Sequence, residues 1–152
     1  MNVTVRANAE TKRVLLGVGK LPYKSRRAIE LGMKELGSNL VKTAQDSVIN
    51  EPKYGRWYPS GSVNKLPRDN HRASAPKQTP ALVSGDYQRG IHYLQRGNEV
   101  DFGVLANVPY ARYLENGRAR MRPRPGLRNS INANARNFTT YVQIALEKQL
   151  QQ

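Results

Sequence analysis

The fold is decided by residues 25–48, Ser-Arg-Arg-Ala-Ile-Glu-Leu-Gly-Met-Lys-Glu-Leu-Gly-Ser-Asn-Leu-Val-Lys-Thr-Ala-Gln-Asp-Ser-Val. Apolar side chains recur in this stretch every three or four residues, at Ile29, Met33, Leu36, Leu40, Ala44 and Val48. A helix with one buried face has this period, and most charged residues of the stretch fall elsewhere. We predict a long amphipathic helix that has Ser25 as its N-cap and ends before Pro52.

The residues before this helix carry weaker signals. Residues 3–7, Val-Thr-Val-Arg-Ala, alternate apolar and polar side chains, which predicts a half-buried strand. Residues 12–20 fit either a second strand or an irregular lead-in. The start has no apolar core of signal-peptide length, and the longest apolar run, residues 14–19, is far below the ~18 residues that span a bilayer. We therefore expect a soluble protein with no membrane partner.

After the helix, the periodicity disappears over residues 50–85. Five prolines recur there, at positions 52, 59, 67, 76 and 80. Proline removes a backbone donor and restricts the residue before it, so it disfavours helices and central strands. Loops of this length in compact domains are usually functional or disordered. We predict a long contact loop over residues 50–85 that presents Tyr54, Trp57 and Tyr58 to a neighbouring chain.

A β-hairpin is the next predicted element. Apolar and polar residues alternate over residues 91–95 and again over residues 99–104, and Arg96-Gly97-Asn98 between them has the composition of a turn. Glycine is available for backbone conformations with positive φ. We therefore assign Gly85 and Gly97 to the turns around the hairpin.

Two helices are predicted after the hairpin. Proline favours the first helical position and glycine the position just past the end, so Pro109 would start a two-turn helix and Gly117 would stop it. We expect Tyr110 and Tyr113 to pack this helix against the sheet. A second long amphipathic helix is predicted over residues 127–150, from the spacing of Ile131, Ala135, Phe138, Val142, Ala145 and Leu150.

These elements belong to one domain, because a chain of 152 residues has the length of a single domain. The predicted fold class over residues 1–152 is α+β, with two long amphipathic helices packed on a small antiparallel β-sheet. A long Pro-rich loop and an extended Arg-rich arm would project from this core.

The arm is the segment Arg118-Ala-Arg-Met-Arg-Pro-Arg-Pro125. Its prolines favour extended conformations for Arg122 and Arg124. In a strand-like chain alternate side chains point to opposite faces, so the guanidinium groups of Arg118, Arg120, Arg122 and Arg124 would share one face. Such an arm could grip an acidic neighbour or nucleic-acid phosphates. Alternatively, it is a solvated edge that discourages sheet pairing.

The charge of the chain points to an acidic partner. Lys and Arg number 25 against 11 Asp and Glu, which gives a formal net charge of +14. The surplus is spread over both halves of the chain. Nucleic acid is one candidate partner, but no helix-turn-helix, zinc finger, KH loop or RNP-like motif is visible. A basic protein inside a nucleic-acid-filled assembly would have the same composition as a free nucleic-acid-binding protein.

Catalysis has less support in the sequence. The chain contains no cysteine, so disulfides, thiolate metal sites and cysteine nucleophiles are excluded. Its two histidines, His71 and His92, are 21 positions apart and lie in no nucleophile motif. Neither a Walker-type loop nor a Gly-x-Gly-x-x-Gly run occurs. We expect a protein that is not an enzyme and that holds no metal or other cofactor.

Two stretches together resemble a known family. Residues 81–91, Ala-Leu-Val-Ser-Gly-Asp-Tyr-Gln-Arg-Gly-Ile, are similar to the segment that opens the hairpin in the head–tail joining, or tail-completion, proteins of long-tailed bacteriophages and prophages. Residues 110–117, Tyr-Ala-Arg-Tyr-Leu-Glu-Asn-Gly, and residues 121–128, Met-Arg-Pro-Arg-Pro-Gly-Leu-Arg, resemble a second block of that family. The resemblance covers about residues 25–150. Two departures are the longer Pro-rich loop and Gly90, where the family often has serine.

The resemblance implies a structural virion protein of the phage neck, present in host cytoplasm during assembly. Such proteins form rings, commonly hexameric although a dodecamer is possible, that join the head and portal to the tail while DNA passes through the channel. The implied partners are other copies of the chain, a head-side connector or stopper, and tail tube, terminator or sheath proteins. We expect acidic faces of these proteins to offset most of the positive charge, and packaged DNA to take a share.

Overall fold

The computed structural model describes residues 2–4, 23–58 and 71–151 of the chain. Three parts of the sequence predictions lie outside the described residues. They are the end of the first predicted strand at residues 5–7, the alternatives for residues 12–20, and the middle of the predicted loop at residues 59–70.

The described residues form a mixed arrangement of helices and strands with an antiparallel sheet, which confirms the predicted class at that level. In chain order the elements are β1 (Asn2–Thr4), α1 (Tyr23–Asn50), β2 (Trp57–Tyr58), β3 (His71–Arg72), α2 (Asp86–Gly90), β4 (Ile91–Arg96), β5 (Glu99–Val104), α3 (Ala111–Asn116), α4 (Gly126–Asn134), a 3₁₀ turn (Ala135–Asn137) and α5 (Phe138–Leu150). Among the helices of the described residues, none is long and apolar enough to cross a bilayer.

The main sheet has the strand order β1-β5-β4, and both pairings are antiparallel. Strands β4 and β5 pair from Ile91 with Val104 to Arg96 with Glu99, so a two-residue turn connects them. Gly97 occupies the first position of this turn with φ of 57°. Glycine at that position is typical of a type II′ turn, whose twist matches that of the flanking strands.

Helix α1 packs one face on the hairpin and on the two C-terminal helices. Leu40, Ala44 and Val48 of the predicted stripe are buried and join Phe102, Val104 and Leu127 in the core. The helix already includes Tyr23, so Ser25 lies inside its first turn and the predicted N-cap is wrong. Pro22 immediately precedes Tyr23 in the sequence and is the stronger helix-start signal, because proline favours the first turn.

The predicted single helix over residues 127–150 is interrupted. A 3₁₀ turn at Ala135–Asn137 separates α4 from α5. Buried Asn134 lies at this break, and its side-chain amide donates to the Ser130 carbonyl and to Thr43 Oγ1 of α1, both at 3.0 Å. Asparagine side chains compete for backbone groups in this way, which makes them poor residues for a helix interior.

The predicted contact loop contains more regular structure than its prolines suggest. Strands β2 and β3 pair antiparallel, and Gly55 and Ala73 extend the ladder because Gly55 N–H donates to the Ala73 carbonyl at 2.8 Å. The side chain of Gln78 closes the base of the loop. Its Oε1 accepts from the backbone N–H of Tyr54 and Ala75, and its Nε2 donates to the Pro52 carbonyl. A side-chain amide thus replaces backbone partners that prolines cannot supply.

Helices α1 and α5 approach each other closely at a glycine of α1. A Cβ atom added to Gly32 would lie 2.6 Å from Val142 Cγ2 and 3.1 Å from the Val142 backbone, so α5 would have to move. We expect Gly32→Ala to lower the free energy of unfolding by about 1–2 kcal/mol, because the overpacking cost of about 1–3 kcal/mol exceeds the gain in helix propensity. Urea denaturation followed by circular dichroism measures the difference.

Ser38→Ala is the matched control, because Ser38 lies on the exposed face of the same helix. Its effect should stay within about 0.5 kcal/mol. A Gly32→Ala variant as stable as the unaltered protein would contradict the close helix packing.

Candidate interaction surface

The segment before α3 is a turn that carries Pro109 at its second position. Ala111 N–H donates to the Val108 carbonyl at 3.0 Å, and proline favours this position of a type I turn because its φ is already fixed. Helix α3 begins only at Ala111, so the prediction that Pro109 is the first helical residue is wrong by two positions. The buried residues of α3 are Ala111 and Glu115, and Tyr110 directly before the helix is 40% exposed.

The carboxylate of Glu115 is the buried centre of this region. Its side chain is 3% exposed, and its Oε1 accepts hydrogen bonds from the Tyr87 hydroxyl at 2.9 Å and from the Leu127 backbone N–H at 2.7 Å. Leu127 lies in the first turn of α4, where backbone N–H groups lack partners within the helix and favour negative charge. Glu115 therefore caps α4 from another helix and joins it to α2 and α3.

Burial raises the pKa of the Tyr87 hydroxyl far above its usual value, and the negative charge of Glu115 adds to the effect. Both causes favour the neutral phenol, which can donate a hydrogen bond to the carboxylate. Tyr87 therefore remains a hydrogen-bond donor throughout the pH range in which proteins normally function.

We call residues 117–125 the arginine loop. The loop begins at Gly117, a position where any side chain would be strained. Gly117 has φ of 77°, and a Cβ atom there would lie 2.6 Å from the Met121 carbonyl oxygen. Arg118 and Met121 then exchange two backbone hydrogen bonds of 2.8 Å, which makes residues 118–121 a tight reversal. The predicted extended arm over residues 118–125 is therefore wrong in its first half, because the prolines restrict only Arg122 and Arg124.

The base of the arginine loop is tied to the core by backbone contacts. Arg124 N–H donates to the Leu114 carbonyl at 2.6 Å, and Lys77 N–H donates to the Pro123 carbonyl at 2.9 Å. Lys77 adopts φ of 71°, and Asn129 Nδ2 donates to its carbonyl at 3.3 Å. The far end of the predicted contact loop thus braces the arginine loop, so the tip is presented from a fixed base.

The four predicted arginines divide into two groups. Arg118, Arg120 and Arg122 are exposed and border an open concavity of about 490 Å³ that residues 116–123 line. Arg124 is half-buried, and its Nε is buried without a hydrogen-bond partner among the described residues. The structure therefore brings three of the four guanidinium groups to one surface and withdraws the fourth.

Arg118 of the loop and Arg112 beside it contact an aromatic ring, and the ion pairs of the described residues lie elsewhere. The guanidinium groups of Arg112 and Arg118 lie 4.5 Å and 5.2 Å from the centre of the Tyr113 ring. Ion pairs among residues 23–58 and 71–151 occur on α1, before β2, on α2 and in the hairpin, and none involves an arginine of the loop. Between residues 105 and 146 the sequence has seven arginines and one acidic residue, the buried Glu115. The surface is strongly positive as a result.

The aromatic residues predicted to contact a neighbouring chain lie in or just before β2, the strand that pairs with β3; we call residues 54–58 with β3 the β2 ladder. Tyr54 and Trp57 are 67% and 56% exposed, and Tyr58 is half-buried with the Arg56 guanidinium 5.4 Å from its ring centre.

Of the predicted turn residues, Gly85 has φ of 84° directly before α2. The sequence analysis did not predict that Glu115, Gln78 and Lys77 would hold separate segments together by hydrogen bonds. Most of their partners lie far along the chain, so no local pattern indicates these contacts.

Replacement of the buried carboxylate tests its role in holding the surface. We expect Glu115→Gln to lower the free energy of unfolding by about 1–3 kcal/mol, because the amide loses the charge that strengthens both hydrogen bonds and buries donors that need new partners. Glu35→Gln is the control, since Glu35 is exposed on α1 and its loss should change stability by less than about 0.5 kcal/mol. Equal stability of the two variants would contradict the assigned role.

Tyr87 should make the fold sensitive to alkaline pH. Its folded pKa is raised above the ordinary value of 10.0, so its contribution to stability is complete below pH 10 and is lost as the unfolded chain ionises above it. We expect the free energy of unfolding to fall above pH 10 by about 1.4 kcal/mol per pH unit more steeply than in Tyr87→Phe. Urea denaturation between pH 9 and pH 11 measures both slopes, and parallel curves would contradict the prediction.

The exposed part of the arginine loop has the chemistry of a recognition surface. Guanidinium groups bind carboxylates and phosphates through two parallel hydrogen bonds. Three of them here border one concavity, and the described residues that line it, 116–123, include no Asp or Glu. The described residues contain no group of three side chains suited to holding a metal ion. No family model matches the chain, and no curated protein or solved structure matches it either.

Proposed function

We propose that the chain is a structural protein of the neck of a long-tailed phage particle. Copies of it would form a ring, most simply a hexamer, that joins the head and portal complex to the tail and completes the tail. DNA would pass through the channel of this ring. The protein would act by binding its neighbours and would not be an enzyme.

The observation that carries this proposal is the arginine loop. Its three exposed guanidinium groups are held on a base that Glu115, Lys77 and Gly117 fix to the core. A surface of this kind is suited to an acidic face of an adjoining protein, because the loop backbone is already ordered before binding. The resemblance of residues 110–128 to phage neck proteins concerns the same segment.

A ring also needs two different surfaces on each subunit, since neighbours in a ring contact each other head to tail. The chain offers a second surface at the β2 ladder, where Tyr54 and Trp57 are exposed. Aromatic side chains are enriched at protein interfaces because they bury a large area at low entropic cost. We assign these residues, with Tyr58, to contacts with a neighbouring copy or an adjoining neck or tail protein.

The alternative function is that of a free nucleic-acid-binding protein. The exposed arginines of the loop favour it as well, because phosphate groups bind guanidinium as carboxylates do. The two functions differ in what the isolated chain does. A free binder should bind DNA with an affinity that falls steeply as salt rises, whereas a neck subunit should be found in purified particles at about six or twelve copies.

A triple substitution tests the proposed role of the arginine loop. We expect Arg118→Ala, Arg120→Ala and Arg122→Ala together to leave the chain folded, since these side chains are exposed, and to reduce the yield of joined particles at least tenfold in a complementation assay. Arg124 is left unchanged because it is half-buried.

The control replaces Arg27, Arg96 and Arg136, three exposed arginines on other elements, so the same positive charge is removed elsewhere. Joined particles should then form at the normal yield. A normal yield with the substituted arginine loop would overturn the assignment of that surface. Absence of the chain from purified particles would overturn the neck function itself.

A further inference from the structure

A second concave surface lies beside the arginine loop. It is a groove of about 460 Å³ between the segment before α2 and helix α3, and its walls are mostly apolar, formed by Val48, Pro80, Leu82, Val83, Tyr110 and Leu114. The concavity of the arginine loop is lined by other residues, numbers 116–123. The two concavities therefore present different chemistry, one mostly charged and one mostly apolar.

Two charged residues line the groove, Asp86 and Arg124, and among the described residues only Arg124 has no ion pair. Its backbone is fixed by the hydrogen bond to the Leu114 carbonyl and by the prolines on either side. Among the described residues, its buried Nε has no hydrogen-bond partner and no carboxylate forms an ion pair with it. A buried donor without a partner destabilises the fold in which it lies, and a charged one does so more strongly.

Asp86, which also lines the groove, is already engaged. Its carboxylate accepts hydrogen bonds of 2.6 Å from the Ser84 hydroxyl and from Arg89 Nη2. Both contacts lower the pKa of Asp86 and favour its charged form, which is engaged with Ser84 and Arg89. The groove is thus lined by one guanidinium group, that of Arg124, which has no ion pair among the described residues and lies among mostly apolar walls.

We propose that this groove binds a short segment of another protein in which a carboxylate side chain is flanked by aliphatic residues. The carboxylate would pair with the Arg124 guanidinium, and the aliphatic side chains would lie against Leu82, Val83 and Leu114. An acidic partner is favoured over a second copy of the chain as the occupant of this groove, because the chain has only 11 Asp and Glu against 25 Lys and Arg and so offers few carboxylates. This site does not depend on the neck function.

The probe is a synthetic peptide, acetyl-Ala-Leu-Asp-Leu-Ala-amide, compared with the peptide that has Asn in place of Asp. Titration of the ¹⁵N-labelled full chain, followed by amide chemical shifts, reports where each peptide binds. We expect the acidic peptide to shift the amides of residues 80–88 and 110–114. The Asn peptide should bind at least tenfold more weakly, because it lacks the charge that pairs with Arg124.

Arg124→Met separates a binding role from a structural one. We expect the variant to lose at least tenfold in peptide affinity while its Tm stays equal to or above that of the unaltered protein, since an unpartnered buried donor is removed. Arg120→Met is the matched control. It removes the same charge from an exposed position outside the groove and should keep the full affinity for the peptide.

Three results would overturn the proposal. One is equal binding of the Asp and Asn peptides. Another is a fall in Tm of more than about 4 °C for Arg124→Met, which would mean that Arg124 has a stabilising partner within the chain. The third is self-association of the chain that Arg124→Met abolishes without any peptide binding, because the groove would then be an interface between copies.

Discussion

One carboxylate oxygen, Oε1 of Glu115, holds together segments that the backbone leaves far apart. Its two donors lie 28 residues before it and 12 residues after it. Helix α4 starts where this oxygen accepts the Leu127 N–H, and α2 is fixed by the Tyr87 hydroxyl. Helix α3, which carries Glu115, therefore cannot shift without breaking both contacts. The arginine loop connects α3 to α4, so the position of both its ends follows from this single acceptor.

Helix α1 provides the other constraint, and polar side chains set its position as much as apolar ones. Gln95 of β4 donates to the Glu30 carbonyl at 2.7 Å, and Ser130 of α4 donates to the Leu40 carbonyl at 2.7 Å. Apolar packing alone allows neighbouring helices to slide at modest cost, whereas each of these hydrogen bonds is satisfied at one position only. Together they fix which turn of α1 faces the hairpin and which faces α4.

The elements that sequence analysis predicted well are those whose signals are local. The hairpin of residues 91–104 was predicted almost to its ends, because its alternation and its glycine turn lie within one short stretch. The long helix was predicted for the same reason, although its start was misplaced at Ser25. The arginine loop was mispredicted in part, since alternation of Arg with Ala, Met and Pro is also typical of an extended chain. Its reversal depends on the left-handed backbone of Gly117 and on pairing between Arg118 and Met121.

For the candidate interaction surface, the sequence predicted which kinds of residue would be exposed but not how they are arranged. The sequence identified the exposed arginines and the exposed aromatic residues, but it gave no sign that Arg124 would be withdrawn into an apolar groove. It also gave no sign that Glu115 would be buried, because that depends on donors from two distant helices. Contacts of this kind are set by tertiary structure, and single-sequence patterns do not encode them.

The reversal at the tip of the arginine loop has a consequence for how such a surface can evolve. Arg118, Ala119, Arg120 and Arg122 are exposed, and the contacts that hold the loop are made by Gly117, Pro123 and Arg124 at its base. Substitutions at the tip would therefore alter the charge and shape of this surface at little cost to folding. Under the proposed function, selection for a new partner would act on these exposed positions and leave the contacts at the base of the loop unchanged.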